Sequence, residues 1–204
     1  MRMMVVARIF IAALTVIATA GSAQELTQAE KERALTYLES TKVKVVQATK
    51  GLTEAQWNFK AGPDRWSVAQ VMEHIAASDD FIRDNLIKDK VMVARAGEPG
   101  RDVKKIDEEV ITNVPDRSHK AQAPEPLQPN NRFGSPEGSV NHFLESRAVT
   151  ERYVKETPGL RDHVMDGPIP KMDGYEYILM IAAHTDRHVK QIEEVKADPK
   201  FPKN

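Results

Sequence analysis

The clearest pattern of apolar and polar positions is YEYILMIAAHTDRHVKQIEEV, from Tyr175 to Val195. Apolar residues recur there at intervals of three and four, which predicts an amphipathic helix. Two histidines, His184 and His188, fall on the apolar side, where aliphatic residues would be expected. Because they are four positions apart, their β-carbons should lie about 5–6 Å from each other. Both imidazoles could then bind one metal ion at about 2.0–2.1 Å.

Three earlier segments have the same helical period. The first begins at a capping box, Thr27 to Glu30, and ends near Gly51. The second has the sharpest start, with Ser67 as N-cap and Gln70 completing the box, and is predicted to run to about Val93. The third opens with Ser135 and Pro136 and ends near Pro158 and Gly159. A further capping box, Asp173 with Glu176, opens the last helix.

The connections complete the predicted fold. Between Ala96 and Ser135 the period fails, apart from a short helical stretch at Val103–Ile111. We interpret this region as a long ordered crossing segment, because neither side alone has a complete core. No strand pattern is convincing. The fold class is therefore all-α, a four-helix bundle of up-down-down-up order with a long crossover between helices 2 and 3. The shorter links predict that helices 1 and 2, and helices 3 and 4, are antiparallel neighbours.

The N-terminus reads as a secretory signal peptide over residues 1–23. Arg2 and Arg8 flank a short n-region, an apolar run follows over Ile9–Ala20, and small residues stand at 21–23. No cysteine follows the run, so a lipoprotein anchor is excluded. We therefore expect residues 24–204 to form a single domain that is exported, periplasmic or extracellular, with no stable membrane anchor after cleavage. The alternative is a retained N-terminal anchor helix.

The charge balance and the absence of cysteine limit the ligands and the metal-binding groups that the chain can use. The chain has 29 basic and 30 acidic residues, and loss of Arg2 and Arg8 would leave 27 against 30, a net charge of −3. This balance, with no cluster of basic residues, gives no indication that the protein binds nucleic acid. With no cysteine in the chain, an exported fold has no disulfide, and any metal must be bound by histidine and carboxylate. Apolar residues in the first helix and in the crossing segment are compatible with a homodimer.

A third histidine, His74, lies on the apolar side of the second helix, beside Val71 and Ile75. It is the candidate third ligand, although a lone histidine on an apolar face is commonly a hydrogen-bonded core residue. His119, His142 and His163 are interpreted as surface residues. The motif HTDRH is not that of a zinc peptidase, because Thr185 stands where a general-base glutamate would be needed.

Two segments together resemble the DinB-like superfamily. They are LTEAQWNFKAGPDRWSVAQVMEHIA, which ends at Ala76, and AAHTDRHVKQIEEV at Ala182–Val195, and the resemblance covers about Leu26 to Pro199. It implies a four-helix bundle of up-down-down-up order that carries a three-histidine metal site. By position the ligands are His74, His184 and His188. Members of the superfamily include thiol-dependent transferases and isomerases, proteins regarded as metal-dependent hydrolases, and proteins of no known activity, so the resemblance does not fix one reaction.

The predicted cofactor is a divalent ion (zinc, nickel or iron), since imidazole suits each of these metals. Three histidines leave a coordination position open to water or substrate. A metal-dependent hydrolase or transferase acting on an unidentified small molecule is the leading hypothesis. The alternative is a non-catalytic bundle that binds metal or ligand. A thiol-dependent reaction is disfavoured by export, because low-molecular-weight thiols are kept reduced in the cytosol.

Two further residues are candidates to line the site. Gln191, one turn after His188, could orient a ligand imidazole, or could be a half-buried polar residue at the bundle end. Arg147 falls inside the apolar stripe of the third helix, midway between Val140 and Val154. A buried guanidinium needs an anionic partner. That partner is either an anionic substrate group near the metal or an internal carboxylate such as Asp79.

Overall fold

The computed structural model describes residues 25–97 and 100–203. The predicted signal peptide, residues 1–23, lies outside the described residues and stays a prediction. Within the described part of the chain, no helix is both long enough and apolar enough to cross a membrane. The helices are α1 (Gln28–Thr49), α2 (Glu54–Asn58), α3 (Val68–Asp80), α4 (Val103–Asn113), α5 (Pro136–Glu156) and α6 (Gly174–Lys196).

Four of these helices, α1, α3, α5 and α6, form the predicted bundle. Tyr175 at the start of α6 donates to the carbonyl of Glu30 at the start of α1, and Lys196 at the end of α6 donates to Ala48 at the end of α1. These two helices are therefore parallel. Contacts run from Asp80 with His142 to Arg83 with Thr150, so α3 and its continuation are parallel to α5. Lys31 contacts the carbonyl oxygen of Lys155, and Thr41 contacts Arg147, so α1 and α5 are antiparallel. The up-down-down-up order of an all-α bundle is confirmed.

The arrangement of neighbours differs from the prediction. Around the bundle the order is α1, α6, α3, α5, so that α1 lies diagonally opposite α3, and α5 diagonally opposite α6. Helices joined by the shorter links are thus not antiparallel neighbours. The physical reason is the length of those links, residues 50–67 and 157–173, which is sufficient to cross the end of the bundle. In the first link, Trp57 of α2 is buried against the bundle core.

The second bundle helix is also less regular than predicted. It leaves α-helical geometry after Asp80, continues as a π-helix over Phe81–Lys88 and ends in a 3₁₀ turn, Val91–Val93. Apolar spacing over eight residues does not distinguish these wider turns from α-helical ones. Within the π-helical stretch, the guanidinium of Arg83 is buried and donates to the carbonyl and hydroxyl of Ser146 and to Thr150 on α5.

The described part of the crossing segment contains α4 and a 3₁₀ turn, Glu125–Leu127. A small sheet accompanies the all-α bundle. Strands β1 (Val164–Met165) and β2 (Met172–Asp173) pair antiparallel in the link before α6. Two-residue strands are too short to produce an alternating pattern in the sequence.

Candidate metal centre

The three predicted histidines reach one point from two helices of the bundle. The side chain of Ser67 accepts from the backbone N–H of Gln70, which starts α3 and places His74 two turns into the buried face. Trp66, just before the cap, packs on the ring of His74 with centroids 5.0 Å apart. The Asp173–Glu176 capping box starts α6 in the same way, and His184 and His188 follow on its inner face.

The histidines converge through their Nε2 atoms. Nε2 of His184 lies 3.3 Å from Nε2 of His74 and 3.1 Å from Nε2 of His188. One ligand atom from each residue lies within 4.8 Å of the others. Three nitrogens that bind a tetrahedral ion at 2.0–2.1 Å would be about 3.3–3.4 Å apart. The spacing therefore fits a small divalent ion, and among the described residues no carboxylate belongs to the cluster.

The outer nitrogens determine which ring atoms carry protons. Nδ1 of His74 donates to the carbonyl oxygen of Leu127 at 2.9 Å, and Nδ1 of His188 donates to Oε1 of Gln191 at 2.8 Å. Both acceptors lack a proton to give, so the Nε2 atoms of His74 and His188 carry lone pairs. His184 has a single Nε2 proton at most, which can satisfy only one of them. At least one buried lone pair is left facing another nitrogen unless a cation lies between them.

Burial keeps the cluster uncharged. Desolvation is the largest cause lowering the pKa of all three histidines, and it lowers that of His188 to about 3. The neighbouring imidazoles lower the pKa of His184 and His188 further, since two positive rings would repel each other. Neutral imidazole is the form that binds metal. His74 and His188 are buried, and His184 is partly exposed as a residue.

The crossing segment covers the cluster. Besides the Leu127 carbonyl, it provides the backbone N–H groups of Asn130, Asn131 and Arg132, which donate to the carboxylate of Glu73 at 2.9–3.0 Å. Glu73 is the residue before His74, so the same stretch of α3 both contributes a histidine and anchors the segment that orients it. These backbone bonds, with the Arg132 side chain, lower the pKa of Glu73 against its burial.

A second part of the crossing segment is held by α6. Arg117 forms a two-point ion pair with Glu194 and donates to Oε1 of Gln191 at 3.4 Å. Arg187 donates to the carbonyl oxygens of Asp116 and His119. The oxygen that orients His188 is thus itself positioned by the crossing segment.

Comparison with known proteins agrees with this architecture. A sequence model of the DinB superfamily matches residues 37–192. The chain belongs to the DinB superfamily. It is 26% identical over 152 residues to the uncharacterized protein YuaE of Bacillus subtilis (strain 168), an alignment that covers 72% of this chain and 87% of YuaE. Among solved structures it resembles YfiT from Bacillus subtilis, with a TM-score of 0.50 and 15% identity over 86% of this chain and 91% of that one. YfiT is described as a probable metal-dependent hydrolase with an unusual four-helix bundle topology.

The structure separates the two site-lining candidates of this DinB protein. Gln191 touches the cluster through His188. Arg147 does not: its five N–H groups are all used by protein atoms, two by Asp79, two by Leu38 and Thr41 of α1, and one by Thr185. Its side chain is fully buried. The internal-carboxylate alternative describes this arrangement, and no donor remains for a substrate.

Sequence reasoning missed several contributors to the site. The Leu127 carbonyl is a backbone atom and leaves no signal in the residue type. Glu73 had one usable signal, because a carboxylate next to a buried histidine must find donors, and Asn130-Asn131 marks a turn that can supply them. The remaining histidines lie apart from the cluster. His119 is exposed, His142 binds Asp80 at 2.5 Å and His163 bonds Ala94.

Proposed function

We propose that this protein is a metal-dependent hydrolase whose divalent ion is held by His74, His184 and His188. The observation that carries the proposal is the convergence of three neutral imidazoles whose inner nitrogens have at most one proton to share, so that at least one lone pair has no donor. Such an ion lowers the pKa of a bound water to about 7 or polarises a substrate oxygen. With three neutral ligands, the positive charge of the ion is not cancelled by the protein.

The surrounding residues support this chemistry by position. Leu127 and Gln191 fix the tautomer and ring orientation of two histidines, as outer partners of metal ligands do. Glu73 and Asp186 are unsuited to act as general bases at the cluster. Glu73 is engaged by the crossing segment, and Asp186 accepts from Lys44 at 2.6 Å.

The fold comparison is compatible with metal-dependent hydrolysis. The description of YfiT as a probable metal-dependent hydrolase belongs to that protein, and at this level of identity the likeness carries the fold alone. The reaction proposed for this chain rests on its own histidine geometry. Transfer to an acceptor other than water would use the same site and is an outcome of substrate screening.

Elemental analysis tests the metal. Three forms purified without a His-tag or chelator are compared: wild type, His184→Ala and His119→Ala, in which an exposed histidine is the matched control. We expect about one divalent ion per chain in wild type and in the His119 variant, and loss of the ion from a folded His184 variant. Absence of metal from wild type after incubation with zinc, nickel and iron would contradict the proposal.

Hydrolysis is tested separately from binding. Wild type is screened on ester, amide and phosphoester substrates before chelation, after chelation and after return of each metal. Activity that follows metal occupancy and is absent from the His184 variant is the expected result. Metal binding without turnover, combined with failure of azide to bind and with unfolding on metal removal, would favour a closed structural site and the non-catalytic alternative.

Export forms part of the proposal as well. The motivating observation is the signal-peptide pattern of residues 1–23. We expect the protein recovered from a periplasmic or extracellular fraction to begin near Gln24, as determined by N-terminal sequencing. An intact N-terminus on membrane-bound protein would instead favour a retained anchor.

A further inference from the structure

The guanidinium of Arg187 has an unusual set of partners for a cation beside the histidine cluster. Its Nη atoms donate to two backbone carbonyl oxygens of the crossing segment, those of Asp116 and His119, the latter at 2.6 Å. A guanidinium has five N–H donors. In the described part of the chain, three of those donors on Arg187 have no partner and no carboxylate lies within ion-pair distance.

The other cations around the cluster are each paired with a carboxylate. Arg117 binds Glu194, Arg132 binds Glu73 and Lys190 lies 3.4 Å from Asp186.

The nearest acidic groups to Arg187 are already engaged. Asp116 accepts from the backbone and hydroxyl of Ser118, and both oxygens of Glu194 accept from Arg117. Asp116 and Glu194 act on the charge of Arg187 from a distance, but in the described part of the chain no carboxylate forms a direct ion pair with it.

Arg187 also lies close to the proposed metal ligands along α6. It lies three residues after His184 on α6, on an adjoining face one turn along the helix, and directly before His188. It is partly exposed, as is His184.

We propose that Arg187 binds an anionic group of the substrate, a carboxylate or a phosphate, next to the metal. The inference rests on the proposed function, because the ion supplies the second positive charge that faces the ligand. The planar fork of arginine matches either oxyanion in a two-point contact. The proposal assigns the substrate class as anionic and makes Arg187 a residue that determines specificity.

Anion binding to zinc-loaded protein tests this role without a turnover assay. Inorganic phosphate and acetate are titrated by calorimetry into wild type, Arg187→Gln, Arg187→Lys and Lys190→Gln. The Lys190 variant removes an equal charge from the same helix, but one paired with a carboxylate. We expect the Gln variant at 187 to weaken anion binding by at least about tenfold, the Lys variant to lie between, and the Lys190 variant to stay within about twofold of wild type. The tighter of the two anions identifies the oxyanion that the substrate carries.

Imidazole, a neutral ligand for the same ion, is the internal control. Its affinity and the zinc content should be equal in all four proteins. Equal phosphate and acetate binding by wild type and the Gln variant, with zinc and imidazole binding intact, would overturn the inference and leave Arg187 as a tether of the crossing segment. If wild type takes up no zinc, the proposed function fails, and the inference fails with it.

Discussion

Two buried polar clusters adjoin each other along α6 and differ in how their polar atoms are satisfied. Thr185, which accepts from Arg147, directly follows His184 on α6. Around Arg147, all five N–H groups have acceptors, and Asp79 matches its charge. Around His184, its Nε2 atom lies 3.1–3.3 Å from the Nε2 atoms of His188 and His74, and the three nitrogens have at most one proton to share.

The difference indicates which cluster is structural. A buried group that protein atoms fully satisfy contributes to the fold and has nothing to offer a ligand. A buried group left with lone pairs and no donor costs stability, and its persistence indicates that a cation completes it. Arg147 therefore looks like a site residue in the sequence and is a structural one, whereas the histidines match the family pattern and also remain chemically open.

The largest predicted effect comes from removing the guanidinium of Arg147 from its buried cluster. Arg147→Met leaves Asp79 as an unpaired buried carboxylate, which should lower the free energy of unfolding by about 3–5 kcal/mol. Urea denaturation measures it, with Arg152→Met, an exposed arginine on the same helix, as control. The double variant Asp79→Leu with Arg147→Met should recover part of the loss. Metal content per folded chain should not change, and a metal-free but folded Arg147 variant would refute the separation of the two clusters.

A smaller effect is expected from removing the hydrogen-bond partner of His188 in the histidine cluster. Gln191→Leu removes the acceptor of His188 Nδ1 and should weaken metal affinity about 10–100-fold, as measured by competition with a chromophoric chelator. Gln191→Glu retains an acceptor at this position and should bind metal at least as tightly as wild type. Wild-type affinity in the Leu variant would show that the hydrogen bond does not orient the ring.

A third buried polar cluster should make the free energy of unfolding depend on pH. Buried Asp107, Asp173 and Glu176 share the guanidiniums of Arg101 and Arg161, so carboxylates are in excess. Desolvation, then the charge of Asp173, raises the pKa of Glu176 from 4.5 to about 7. Between about pH 4.5 and 7, Glu176 keeps its proton in the folded state and loses it in the unfolded chain. The free energy of unfolding should therefore fall as the pH rises, by at most about 1.4 kcal/mol per pH unit.

Glu176→Gln should reduce that slope, as determined from urea denaturation at several pH values between 4.5 and 8. Glu32→Gln, an exposed carboxylate on α1, should leave the slope unchanged. An unaltered slope in the Glu176 variant would show that this carboxylate stays ionised, with its charge balanced by the two arginines.

The smallest predicted change in stability concerns the hydroxyl of Ser78, which lies between His74 and Asp79 in the sequence of α3. Ser78 Oγ is buried and, among the described residues, has no hydrogen-bond partner. Ser78→Ala should raise the free energy of unfolding by up to about 1 kcal/mol. Ser40→Ala on the exposed face of α1 measures the part of this gain that comes from helix propensity. A loss of stability in the Ser78 variant relative to Ser40→Ala would indicate an unseen partner such as a buried water.

The parts of the molecule predictable from the sequence are those with local signals. Ser67 with Gln70 and Asp173 with Glu176 placed two helix starts correctly because capping is a short-range interaction. The four-residue spacing of His184 and His188 has geometric meaning on any helix. The approach of His74 depended on family resemblance, since nothing in the spacing along the chain reports a contact between α3 and α6.

What could not be predicted depends on tertiary packing. The diagonal placement of α1 and α3 follows from where their link packs, and the π-helical turns at Phe81–Lys88 accompany the contacts of Arg83 with α5. The partner of Arg147 was one of two alternatives because sequence shows that a buried cation needs an anion, but not which one. The bond from His74 to Leu127 involves a backbone atom, which no residue type marks.

The separation of the ligands along the chain has a consequence for folding. His74 and His184 are 110 residues apart, so closing that loop is entropically costly and the complete site forms only when the two halves of the bundle dock. An unfolded chain offers at most the weaker His184–His188 pair. The ion would therefore bind late and select the native state, adding about 2.7 kcal/mol of stability at a hundredfold excess over its Kd. Metal uptake during refolding should thus lag behind helix formation and report completion of the native topology.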